Sequence, residues 1–159
     1  MSTALSEARL PIDRRVAARL ADAGHRVLVV EKKRFPREKT CGDGLTPRAV
    51  RQLEDMGLGP QLSGSLRYDG LRSIAHGVTL ELEWPEHPDF PDYGYVVRRR
   101  DLDRMVADAA AGAGAEVWTG AEAVEPLVED GLVVGAVIRR DGVTEAVRAR
   151  YVVVADGAN

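Results

Sequence analysis

The sequence predicts an α/β fold, built on part of a βαβ unit with an antiparallel region inserted into it. Three observations carry this expectation. A stretch of helical period over residues 11–23 is closed by Gly24 and followed at once by an apolar run at 26–31, as when a helix leads into a buried parallel strand. A second all-apolar run occupies residues 151–155. Between them, Val78, Leu80, Leu82 and Trp84 alternate with polar neighbours, the period-2 pattern of an antiparallel strand.

The elements follow in chain order. Residues 1–10 show no sustained period and are expected to be poorly ordered. In the first helix Ile12, Val16, Ala17, Leu20, Ala21 and Ala23 share a face; Pro11 suits the first turn and Gly24 the stop. Helix, glycine and strand form the second half of a βαβ unit, so a strand is expected before them. A basic loop over 32–39 leads to Cys41, Gly42, Asp43 and Gly44. Thr46 as N-cap and Pro47 at the first helical position predict a helix reaching Met56, ended by Gly57. Residues 66–84 read as a hairpin turning near His76 and Gly77, residues 85–91 as a proline-rich loop, and residues 93–97 as another strand. Leu102, Met105, Val106 and Ala109 define one face of a helix over 101–113. Strands are expected over 116–124, 133–139 and 143–148, with a turn at Asp141 and Gly142, before the last strand at 151–155.

At 159 residues the chain is long enough for one domain, or for one domain and part of a second. A composition of 45% apolar and 30% charged residues is ordinary for a globular protein. The net charge of −3 gives no global electrostatic reason to expect nucleic-acid binding. Cys41 is the single cysteine, which excludes an internal disulfide framework and a cysteine-rich zinc site. His25, His76 and His87 lie apart, without metal-ligand spacing. No apolar run approaches the roughly 20 residues that a transmembrane helix needs. With no signal-peptide core either, the chain is expected to be cytoplasmic, touching a membrane only at its surface.

Chemistry is concentrated at a few positions. Glu31 closes the first apolar strand, where a carboxylate can accept two ribose hydroxyls of a dinucleotide; a solvated strand-end charge is the equal alternative. Lys32 opens the basic loop, which is either solvated or faces a pyrophosphate or an acidic head group. Gly42 and Gly44, one residue apart, allow positive φ or close backbone approach to a planar ligand. Cys41 has no flanking histidine, so it fits a small buried residue as well as a nucleophile. Of Arg98, Arg99 and Arg100, at a strand-to-helix junction, one is a candidate phosphate contact and the others are solvated. Asp156 and Gly157 follow the last strand, an ordinary turn signal that also lies where open α/β sheets place ligands.

Taken together, these strings resemble the geranylgeranyl reductase family of FAD-dependent oxidoreductases, within the wider p-hydroxybenzoate-hydroxylase-like group. The resemblance runs from Val16 to Asn159 and is most similar to the bacterial branch acting on the menaquinone side chain. Residues 35–50 look like the family signature, and Arg99, Leu102 and Asp103 match an Arg-x-x-Leu-Asp pattern. The resemblance implies a partial Rossmann-like FAD-binding domain of parallel strands plus helix, with an inserted antiparallel β-sheet region. It assigns residues 16–60 and 98–159 to that domain, 61–97 to an insertion in the substrate region, and leaves 1–15 unmatched. It implies that Glu31 binds the adenosine ribose, that Arg99 lies against the FAD, and that Asp156 and Gly157 lie near its pyrophosphate or take part in NAD(P)H binding. Lys32 joins them as a cofactor contact, and Cys41 and Gly42 are placed near the flavin and the substrate tunnel. The implied reaction is reduction of C=C bonds in a prenyl lipid, with NAD(P)H or another external donor; Cys41 and Asp43 are the proton-donor candidates.

The family opens with a buried strand and a Gly-x-Gly-x-x-Gly loop whose backbone amides hold the pyrophosphate. Residues 1–15 carry neither, and the family continues well beyond its Asp-Gly motif. The chain is therefore expected to be a fragment, with a disturbed reading frame upstream of Val16 as its cause. Two alternatives follow: a non-catalytic remnant that binds no flavin, and an FAD-dependent monooxygenase-like protein.

Overall fold

The structure is a computed structural model and describes residues 14–38 and 42–156. From the N-terminus its elements are α1 (Arg14–Asp22), β1 (Leu28–Glu31), β2 (Gly44–Leu45), α2 (Pro47–Glu54), α3 (Gly59–Leu62), β3 (Leu66–Tyr68), β4 (Gly70–Ala75), β5 (Val78–Glu83) and β6 (Gly94–Val96). There follow α4 (Arg99–Gly112), β7 (Glu116–Thr119), β8 (Ala121–Glu129), β9 (Leu132–Arg140) and β10 (Val143–Arg148). They gather into two compact units, Met1–Arg37 with Asp103–Asn159, and Glu38–Leu102. The fold class is mixed α/β, with parallel and antiparallel sheets as the sequence predicts.

In the first unit β1 and β7 pair in parallel, with Leu28 opposite Glu116 and Glu31 opposite Thr119. The apolar run before Glu31 explains the placement, since Val27, Leu28 and Val29 are all buried. Helix α1 lies against β1 and buries Ala17 and Ala18. A three-stranded antiparallel sheet, in the order β10-β9-β8, completes the unit. Its inward residues Ala121, Ala136, Ile138 and Val147 join Leu28 in one core, with Val30 and Trp118 packed at the edge. Arg140 closes over the Trp118 ring at 4.1 Å.

Two expectations need correction here. The run at 116–124 is not one strand: Gly120, at φ +67°, breaks it into β7 and β8, which pair in different sheets. Apolar residues continue on both sides of the glycine, so pattern alone hides the break. Residues 151–155 form no strand; Tyr151 is 70% and Val154 78% exposed. A strand exists only as part of a ladder, and no described strand pairs with this run.

In the second unit Pro47 opens α2, and Val50 and Leu53 form its buried face. Thr46 holds the extended N-cap conformation, yet its hydroxyl makes no capping bond. Beyond Asp55, the Leu58 amide donates to the Leu53 carbonyl across Gly57, the bonding of a glycine-ended helix. Strands β2 and β3 flank β6, all antiparallel. Gly94 sits where a Cβ would collide with the Leu45 carbonyl and the Tyr68 ring, so only glycine lets the three strands close. Tyr68 then donates its hydroxyl to the same Leu45 carbonyl at 3.0 Å.

Strands β4 and β5 make a hairpin turning at His76 and Gly77 as expected, with φ of 51° and 78°, but it begins at Gly70 rather than Leu66, because residues 66–68 form β3 and pair with β6. Asp130–Gly131 and Asp141–Gly142 repeat this pair of positive φ values in the first unit, joining β8 to β9 and β9 to β10. All three match the two-residue turn whose twist suits antiparallel strands. The β4–β5 hairpin leaves Leu71, Leu80 and Leu82 about half exposed.

Candidate functional site

The carboxyl end of β1 carries a cluster of buried charge. Glu31 ends the strand, and its Oε1 accepts the backbone N–H of Lys33 at 3.0 Å. Its Oε2 accepts from Arg37 Nη2 at 3.1 Å. The same nitrogen lies 3.3 Å from Oδ2 of Asp103 in α4. The side chains of Glu31, Arg37 and Asp103 are only 16%, 12% and 8% exposed. Buried charges persist only when paired and hydrogen-bonded, so three in one place form a single electrostatic unit. Phe35 supports it from the side, with its ring centroid 5.8 Å from the Arg37 guanidinium carbon.

A second, open network lies in the same unit. Lys32 Nζ donates to Glu122 Oε1 at 2.6 Å, and Arg139 donates to the other oxygen at 2.6 Å. The Lys32 hydrogen bond, then the Arg139 one, holds the Glu122 carboxyl below the usual glutamate range. Arg34 bonds Asp141 at 3.2 Å, with both side chains about 70% exposed. Exposed pairs of this kind contribute little stability, but they occupy Lys32 and Arg34 of the basic loop.

In the second unit the glycine loop and the start of α4 meet. Asp43 Oδ1 accepts the backbone N–H of Arg99 at 2.9 Å, and the Asp43 carbonyl accepts from Val97 at 2.9 Å. Arg99 opens α4, so Asp43 caps a helix distant in sequence. A Cβ on Gly42 would meet nothing within 4 Å, whereas one on Gly44 would lie 3.6 Å from the Tyr68 hydroxyl. Arg98 and Arg100 turn to the surface, pairing with Asp101 at 2.8 Å and Glu38 at 3.3 Å.

Of the residues singled out from sequence, Glu31 and Lys32 lie together at the end of β1. Gly42, Asp43 and Arg99 lie together at the start of α4. Asp156 is exposed, outside any strand. Cys41 and Gly157 lie outside the described residues, as does Pro11 at the expected start of the first helix. Sequence reasoning gave Arg37 no role and named Asp103 only as the last position of the Arg-x-x-Leu-Asp pattern. Both stand inside the strings that carry the resemblance, and nothing local in the sequence announces the contact that the fold makes between them.

Residues 15–159 match the family model described as "FAD binding domain". The chain is 43% identical over 148 residues to a menaquinone reductase of Mycobacterium tuberculosis, covering 93% of this chain and 36% of that protein. A digeranylgeranylglycerophospholipid reductase of Methanospirillum hungatei is 32% identical over 146 residues, covering 89% of this chain and 34% of its own length. Among solved structures, the myxobacterial chondrochloren halogenase CndH, an FAD-dependent halogenase, superposes with a TM-score of 0.79 at 27% identity, over 87% of this chain and 33% of that one. The chain thus spans about a third of the length of the curated relatives it matches.

Proposed function

The chain belongs to the FAD binding domain family, and from that premise we propose that it is the flavin-binding portion of a geranylgeranyl-reductase-type enzyme that saturates C=C bonds in an isoprenoid chain such as that of menaquinone. The observation that carries this reading is the 43% identity to a menaquinone reductase across 93% of the chain. The residues present fit the adenosine end of FAD: a half-buried carboxylate stands at the carboxyl end of a parallel strand, where α/β sheets bind ligands.

In this reading Glu31 accepts the adenosine ribose hydroxyls. Arg99 lies against the cofactor, Lys32 contacts it from the loop, and Asp156 and Gly157 serve the pyrophosphate. Gly42 leaves room for close backbone approach, and Cys41 borders the flavin and the prenyl tunnel. When bound and reduced by NAD(P)H or another external donor, FAD supplies a hydride to one carbon of the double bond. A proton must reach the other carbon, and Cys41 is the first residue to test as its donor. Asp43 ranks second, because one carboxylate oxygen already holds the α4 N-terminus. Within the second unit, residues 61–97 are the portion assigned to the substrate region. The prenyl lipid places the protein at the cytoplasmic face of a membrane, as a peripheral protein.

A second reading is a remnant that binds no flavin. It is favoured by the sequence of residues 1–15, which carries no Gly-x-Gly-x-x-Gly loop, and by residues 151–155, which pair with no described strand. An FAD titration followed by flavin fluorescence separates the two. Stoichiometric binding supports the reductase reading, and a protein indifferent to FAD overturns it.

A further inference from the structure

We infer that Glu122 is a positioning residue: it holds the Lys32 ammonium at the carboxyl end of β1, ready for an anionic phosphate of the cofactor. The inference rests on the reading of that strand end as the adenosine side of an FAD site and adds the group that aims its first cation.

Lys32 is the first residue beyond Glu31, and its side chain is 69% exposed. A lysine in that position has many rotamers open to it, and ordering it only when a ligand arrives costs affinity. Here the order exists beforehand. Lys32 Nζ donates to Glu122 Oε1 at 2.6 Å, and Arg139 Nη2 donates to Glu122 Oε2 at 2.6 Å. Glu122 and Arg139 stand directly opposite each other in the β8–β9 register, so the strands set the carboxylate before the lysine meets it. Glu122 is also the least exposed of the three, at 29% against 69% for Lys32 and 55% for Arg139.

The rest of the turn is seated on the same sheet. Arg34 bonds Asp141 in the turn between β9 and β10, and its guanidinium lies 3.2 Å from where a Cβ on Gly120 would stand. Lys32 and Arg34 thus reach from the loop to β8 and to the β9–β10 turn, all within the first unit. Charge selects the ligand. Two cations face one carboxylate, which leaves the Lys32–Glu122–Arg139 cluster net positive. Glu122 takes one of the three ammonium donors, and the other two serve an anion. Exposed pairs add little stability, so what these contribute is order.

The test uses the full chain with ADP, which carries the adenosine and phosphates of FAD without the flavin, and with adenosine as the control that lacks phosphate. Glu122→Gln keeps the size of the side chain and removes its charge. Coulomb's law alone predicts tighter ADP binding in this variant, because a negative charge leaves a cationic cluster. Positioning predicts the reverse: ADP affinity falls about threefold, the cost of ordering one long side chain, while adenosine affinity is unchanged. The order of Lys32 Nζ, read by NMR relaxation without ligand, is lost in the same variant. On a Lys32→Met background the ADP loss disappears, the non-additivity of residues in one network. Unchanged or tighter ADP binding in Glu122→Gln overturns the inference, as does undiminished Lys32 order or the same ADP loss on the Lys32→Met background. Should Glu122→Gln not fold, Arg139→Met frees Glu122 and gives the Lys32 readout, with undiminished order as the overturning result. Binding of ADP without FAD sinks the flavin reading and leaves the inference to the ADP series; a wild-type chain that binds neither overturns both.

Discussion

The Asp43 carboxylate accepts the Arg99 amide at the start of α4, while the proposed chemistry makes it a proton-donor candidate. Asparagine keeps the acceptor and removes the acid, so it separates the two roles. Asp43→Ala should lower stability by about 1 kcal/mol, the usual cost of losing a helix cap. Asp43→Asn should leave stability nearly unchanged, as read by urea denaturation, and loss of prenyl reduction in this stably folded variant as well as in Asp43→Ala would assign Asp43 the proton. Glu122 gives a pH-dependent case. Lys32 and Arg139 hold its carboxyl below the usual range, so its folded pKa lies under its unfolded one. Its contribution is complete above the ordinary glutamate value of about 4.3 and is lost as pH falls through the depressed value. An NMR titration of the Glu122 Cδ should show this low midpoint, and Lys32→Met should move it upward; a midpoint that stays put would remove Lys32 as the main cause. Legibility at this scale followed distance along the chain. Glu31 could be singled out because a strand end is a local feature. Its partnership with Arg37 and Asp103 could not, because only the fold brings them together.

Elements were legible where local chemistry decides them. Pro47, the buried pair Val50 and Leu53, and Gly57 mark α2 by themselves, and the His76–Gly77 turn lies where the hairpin pattern puts it. The misreadings came where pairing decides. Apolar residues run through Gly120 without a break, yet the left-handed glycine sends β8 into another sheet. Residues 151–155 have every local mark of a strand but pair with no described strand, and a run of valines is not a strand on its own. Glycine substitutions test this account. Gly94→Ala places a methyl group against the Leu45 carbonyl and the Tyr68 ring and should cost about 1–3 kcal/mol, an overpacking penalty. Gly42→Ala meets open space and should stay within about 0.5 kcal/mol of wild type. If the Gly42 backbone approaches the flavin, the same variant should nevertheless weaken FAD binding. Equal thermal stability of the two variants would overturn the packing argument for Gly94.

Each unit of the molecule displays apolar surface that its own residues do not cover. In the first it is the run of Tyr151, Val153 and Val154, at 70%, 40% and 78% exposure. In the second it is the β4–β5 hairpin, where Ile74 and Val78 are 69% and 66% exposed. The two differ in kind. The hairpin strands already satisfy each other's backbone along six residue pairs, so their inner edges are closed. The run at 151–155 pairs with no described strand, and it combines β-branched residues with low charge, the combination that recruits another strand. Self-association of the chain should therefore depend on this run more than on the hairpin. Val153→Lys with Val154→Lys places charge on the run without touching the Leu28 and Ile138 core. The double variant should lower the mass measured by light scattering toward that of a monomer, with stability changed by no more than about 0.5 kcal/mol per site. Ile74→Lys with Val78→Lys should have the smaller effect. If the hairpin variant dissociates the chain and the 153–154 variant does not, exposed side-chain area rather than strand recruitment governs association.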